Sequence, residues 1–111
     1  MRHKLQFSAN FLRDTAASME VTMSHTQAKI LIAYTETLYT WNKSRNLIAP
    51  ASRTTILQKH ILDCCAVVPH LPSGCVLDVG CGAGLPAVVI AVLRPDCRVI
   101  AVDARKKKTT F

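Results

Sequence analysis

From Thr26 onward the apolar residues fall into regular periods. Ile30, Leu31, Tyr34, Leu38 and Trp41 recur mostly three or four apart, which predicts an amphipathic helix turning that stripe toward a core. Ser24 or Thr26 suits its N-cap, and the polar run Asn42 to Pro50 ends it, because proline lacks the amide that a helix interior needs. A second helix is predicted from Thr54 to Val68, capped by Ser52, with Ile56, Leu57, His60, Ile61, Cys64, Cys65 and Val68 on one broad face. Pro69, Pro72 and Gly74 then form a linker. Beyond it the helical period gives way to short apolar runs. Val76 to Val79, apolar apart from Asp78, reads as a buried strand, Pro86 to Leu93 as a helix, and Cys97 to Val102 as a second buried, parallel-type strand. Residues 1–24 show no clean period and read as a loosely ordered arm with at most a short helix. The expected division is an arm over 1–24, a helical region over 25–70 and an α/β unit over 75–111, within one structural domain.

Gly80, Gly82 and Gly84 stand at alternate positions between the first strand and its helix. Strand, glycine turn and helix in that order make a nucleotide-binding corner, where residues without a Cβ let a ligand approach the backbone. Asp78, near the strand's end, can accept hydrogen bonds from a ligand. Asp103 follows the second strand about 19 residues after Gly84, the distance at which an acid reaches ribose hydroxyls, although a cap for a following helix fits the same position. A nicotinamide site prefers G-x-G-x-x-G, and here the sixth position is Leu85. S-adenosylmethionine, which has no pyrophosphate to cradle, fits the spacing better.

Composition narrows the partner. With 111 residues, half of them apolar, the chain has room for one small domain and a core. A net charge of +7 favours polyanions such as RNA. Arg105, Lys106, Lys107 and Lys108 crowd beside the corner, either as a phosphate-contacting edge or as the solvated first turn of a helix. Five cysteines without a C-x-x-C point to reduced thiols in a cytoplasmic protein, with neither a zinc site nor a disulfide framework expected. The apolar run Leu85 to Leu93 is too short to cross a bilayer. His60 and Asp63, three residues apart, have the spacing of an acid–base pair, and equally that of a packed histidine beside a surface Lys59–Asp63 contact.

Several blocks together carry a resemblance. Trp41-Asn42-Lys43, Asn46-Leu47, Lys59-His60-Ile61-Leu62-Asp63 and Asp78-Val79-Gly80-x-Gly82-x-Gly84-Leu85-Pro86 are similar, in order and spacing, to the RsmG (GidB) family. Arg94-Pro95 and Asp103, Lys107, Lys108 and Phe111 agree with it, whereas Ile48, Lys59 and the Arg105-Lys106 pair depart from its usual residues. That resemblance implies a class I, Rossmann-like methyltransferase acting on a guanine N7 of 16S ribosomal RNA, in the free RNA or the small ribosomal subunit. It implies S-adenosylmethionine as cofactor, contacts from Gly80 and Leu85, a loop shaped by Gly82 and Gly84, and Asp103 on the ribose. It places His60 and Asp63 in the active-site wall without assigning a catalytic residue. The blocks cover roughly the first half of the family pattern, so the chain is expected to be truncated with an incomplete sheet. The alternative is a non-catalytic fragment that keeps part of the cofactor corner.

Overall fold

The computed structural model describes residues 8–45, 48, 51–79, 85 and 87–102; for Arg45, Asp78, Val79, Ala101 and Val102 it describes the backbone alone. Helices α1 (Ala9–Ser18) and α2 (His25–Arg45) lead into a continuous helical rod of α3 (Arg53–Thr55), a π-helical segment (Ile56–Ile61) and α4 (Leu62–Cys65). A short 3-10 turn, Val68–His70, precedes β1 (Gly74–Val79), α5 (Ala87–Leu93) and β2 (Cys97–Val102). The molecule is α/β, the opening part of a Rossmann-like unit built on N-terminal helices.

Where scattered apolar residues gave no period, the chain is nevertheless helical. Ser8 accepts the Phe11 amide at 3.1 Å and so caps α1, whose Leu12 and Ala16 are fully buried. The helix closes with the Val21 amide on the Ala16 carbonyl at 2.9 Å and the Glu20 amide on Ala17 at 3.0 Å. Those are the two bonds of a Schellman motif, with Glu20 at φ 63 in the left-handed position that glycine usually takes. Within the segment expected to be an arm with at most a short helix, Ala9–Ser18 forms a ten-residue helix that packs into the core.

Ser24 and Gln27 form the capping box of α2. The Gln27 amide donates to Ser24 Oγ at 3.0 Å, and the Ser24 amide donates back to Gln27 Oε1 at 2.9 Å. The buried positions of α2 are Ala28, Leu31, Thr35, Leu38 and Asn42, alternately three and four apart. Ile30, which the stripe assigned to the core, is 48% exposed, and Thr35 takes the inward place instead. Its hydroxyl donates to the Leu31 carbonyl at 2.8 Å, which makes a buried threonine tolerable. Asn42 is also buried; its Oδ1 accepts the Ile48 amide at 2.8 Å and ties down the chain leaving α2.

The rod from Arg53 includes a π-helical segment. Ser52 caps the rod by accepting the Thr55 amide at 3.1 Å. In the π segment hydrogen bonds close five residues apart, as from the Leu62 amide to the Leu57 carbonyl. Five-residue spacing therefore stacks Ile56 above Ile61 and Leu57 above Leu62, and all four are buried. Normal spacing returns from Ile61 to Cys65, also buried. These side chains join Leu12, Leu31, Leu38 and Val89 in one core, each such burial stabilising the fold by about 1.5–3 kcal/mol before entropy.

Strands β1 and β2 pair in parallel across α5, in register from Gly74 opposite Cys97 to Val79 opposite Val102. Gly74, at φ 130, makes the entry to β1 in a conformation open to glycine. Side chains alternate between the two faces. Val76 and Val99, register partners, are half-buried, whereas the next pair, Leu77 and Ile100, are 61% and 40% exposed. The apolar composition predicted strands buried on both faces; among the described residues one face is packed and the other open.

Candidate functional site

Parallel strands joined through a helix carry their ligands beyond the strands' C-terminal ends. Here β1 and β2 end level, because Val79 and Val102 are register partners. In the sequence Gly80 follows directly on β1 and Asp103 directly on β2. This arrangement fits a cofactor corner supplied jointly by a glycine loop and an acid after the second strand. Asp78 lies in β1 opposite Ala101, one residue before the strand ends. Leu85 is half-buried and packs against the core just ahead of α5. Gly80, Gly82, Gly84, Asp103, Arg105, Lys106, Lys107 and Lys108 lie outside the described residues.

The opposite end of the sheet is fixed by one arginine. Arg94 donates through one terminal nitrogen to the carbonyls of Val68 at 2.9 Å and Leu71 at 2.7 Å. Its Nε and other terminal nitrogen grip Asp96 at 2.9 and 2.7 Å, a bidentate pair, and Ser73 Oγ donates to the same carboxylate at 2.7 Å. The turn before β2 is thereby bound to the linker before β1, which sets both strands to a common start. Arg94 and Ser73 together hold the Asp96 carboxyl well below the usual carboxylate range.

His60 lies half-buried in the π segment, and Asp63 is exposed on the first turn of α4. Among the described residues no hydrogen bond joins them, and no ion pair joins Lys59 to Asp63. Cys65 is chemically quiet: burial, helped by neighbouring Cys64, pushes its thiol up to about 12. Among the described residues no group of histidine, cysteine and carboxylate side chains could hold a metal ion, and no helix is long and apolar enough to cross a membrane.

Sequence reading missed three features that position the site. Gln27, besides capping α2, donates through Nε2 to the Val92 carbonyl at 3.0 Å, joining the helical layer to the end of α5. Its signal was the S-x-x-Q spacing of a capping box. The π segment was signalled by the apolar doublets Ile56-Leu57 and Ile61-Leu62, five residues apart. The Arg94 hub left no signal beyond the Arg94-Pro95-Asp96 turn, because its carbonyl acceptors carry no side-chain signature.

A β-α-β corner with level strand ends, set on a helical layer, is the beginning of a Rossmann-like α/β unit. Residues 27–111 match the family model for GidB, rRNA small subunit methyltransferase G. The chain is 43% identical over 103 residues to the ribosomal RNA small subunit methyltransferase G of Psychrobacter arcticus, covering 93% of this chain and 43% of that protein. It is 48% identical over 81 residues to the protein of that name from Methylobacillus flagellatus, covering 73% and 40%, and 44% identical over 103 residues to that of Burkholderia multivorans, covering 90% and 45%. The chain belongs to the GidB family, and it spans less than half the length of these relatives.

Proposed function

We propose that these residues form the first half of the cofactor site of an S-adenosylmethionine-dependent methyltransferase that modifies a guanine N7 of 16S ribosomal RNA in the cytoplasm. The observation that carries this reading is the family match across residues 27–111. The level ends of β1 and β2 support it, since they suit a cofactor held between a glycine loop and an acid. In this reading Gly80, Gly82, Gly84 and Leu85 shape and line the loop, Asp78 anchors its start, and Asp103 accepts hydrogen bonds from the ribose hydroxyls. Residues 25–70 form the wall over the cleft, with His60 and Asp63 facing substrate, and Arg105, Lys106, Lys107 and Lys108 take RNA phosphates. S-adenosylmethionine supplies the methyl group on its sulfonium. Guanine N7 carries a free lone pair and no proton, so the chain needs no general base for attack. Its work is alignment and the exclusion of competing poses, and orientation alone contributes several kcal/mol to such transfers, of order 7–11 at its largest.

Coverage of 43% of the Psychrobacter relative favours a second reading: the chain holds cofactor but does not complete catalysis. Thermal unfolding with and without S-adenosylhomocysteine tests the cofactor half. Ligand at about 100 times its dissociation constant adds about 2.7 kcal/mol of stability if the native chain binds it, and Asp103→Ala abolishes that shift. A transition indifferent to ligand overturns the cofactor assignment. Methyl transfer to small ribosomal subunits then separates the two readings, with ligand binding and no transfer supporting the second.

A further inference from the structure

We infer that the outer face of α2 around Tyr39, together with Arg53, is a docking surface for the phosphodiester backbone of single-stranded RNA. The inference rests on the reading of the chain as an RNA methyltransferase, and assigns its substrate a contact remote in sequence from the glycine loop. Glu36, Tyr39, Thr40 and Lys43 are linked by three- and four-residue spacings, so they share one flank of the helix; Tyr39 is half-buried against the core at the edge of that flank, and Thr40 and Lys43 are exposed. Arg53 reaches this face from the start of the next rod. Its Nε lies 2.8 Å from Glu36 Oε1, and its guanidinium carbon lies 4.3 Å from the Tyr39 ring centroid. Lys43 Nζ lies 4.6 Å from the same centroid.

Two cations thus share one aromatic ring and stand within about 9 Å of each other, comparable to the Debye length of about 8 Å at physiological salt. One carboxylate, Glu36, faces them, so the surface keeps a net positive charge. Ring and carboxylate fix both long side chains before any ligand arrives, which lowers the entropy lost on binding. Their donors remain available: among the described residues Arg53 makes no hydrogen bond beyond that of Nε to Glu36, and Lys43 makes none. A guanidinium fork beside an ammonium suits successive phosphates. Next to it an open cleft of 220 Å³, lined by Glu36, Thr37, Thr40 and Trp41, leaves room for a sugar or base of the same strand. Asn42, pinned to Ile48, holds the chain just after Lys43 in place.

The test is fluorescence anisotropy of a labelled, mixed-sequence single-stranded RNA titrated with the full chain at several salt concentrations. Lys43→Gln and Arg53→Gln should each weaken binding about fivefold at about 0.1 M salt and reduce the log–log salt slope by about 0.7, the value for one lost contact on a single strand. Lys43→Arg should retain affinity and slope. Each variant should keep its shift in melting temperature with S-adenosylhomocysteine, which separates this surface from the cofactor corner. If Arg53→Gln disturbs folding through its lost partner Glu36, Lys43→Gln decides alone. Unaltered affinity and slope in the glutamine variants overturn the surface and leave the methyltransferase reading standing. A wild-type chain that binds the homocysteine product but no RNA overturns both the surface and the RNA substrate.

Discussion

The helical layer and the strand pair are built from similarly apolar sequence, yet they finish differently. In the helices nearly every large apolar side chain finds a place: Leu12, Leu31, Leu38, Ile56, Leu57 and Ile61 are wholly inaccessible. In the strands Leu77 and Ile100 stand half in solvent. The difference is geometric. A helix needs cover along one stripe, whereas a strand of a parallel sheet turns side chains to two faces and needs a layer against each. The helices meet their requirement among themselves and with α5, while α5 serves the sheet on one side. The strands are instead held by backbone pairing and by the Arg94 hub at their starts.

The contrast is most directly tested by truncation. Leu38→Ala should cost about 2–5 kcal/mol in denaturant unfolding, whereas Leu77→Ala, on the open face, should cost under about 0.5 kcal/mol. Equal losses at the two positions would mean that the open face is covered in solution. A smaller effect is expected where the two regions meet. Gln27→Ala removes both the reciprocal cap of α2 and the bond to Val92, and should destabilise the chain by about 1–2 kcal/mol. Gln27→Glu keeps the cap but not the donor, so its melting temperature should fall between wild type and alanine. The smallest effect belongs to the strand starts and is read against pH. Asp96 binds its proton more weakly in the folded chain than in the unfolded one, because Arg94 and Ser73 favour the carboxylate. Its stabilisation is therefore present above the unfolded carboxyl pKa of about 3.9 and is lost as pH falls through the folded value. Asp96→Asn should lower the melting temperature at neutral pH and flatten its decline below about pH 4; a profile parallel to wild type would remove the pair from the account.

Much of this fold was legible in the sequence. The three- and four-residue periods located α2 and the second rod, and the short apolar runs located both strands and the helix between them. What escaped had no periodic expression. Helix α1 is short and half polar, and it is secured by Ser8, a left-handed Glu20 and the helices it packs against, so the arm reading was the natural one. Ile30 was misplaced because hydropathy cannot distinguish the flank of a stripe from its centre, and Thr35 because a hydroxyl bonded to the preceding turn behaves as an inward group. Of the site, the motif spacing reads as a glycine corner whose glycines lie outside the described residues, and register supplies what spacing could not, the level ends of β1 and β2. The docking surface proposed around Tyr39 was not legible because Arg53 and Lys43 come to one ring from two different helices.

The π segment has a consequence for how this region varies among relatives. Between Ile56-Leu57 and Ile61-Leu62 the rod carries one residue more than an α-helix would need to stack the same doublets. A relative lacking one residue there would keep both doublets in the core simply by reverting to ordinary helical winding. Differences in length at this point are therefore expected to appear as a single-residue gap within a helix, where insertions and deletions are otherwise poorly tolerated, while the flanking helices keep their phase.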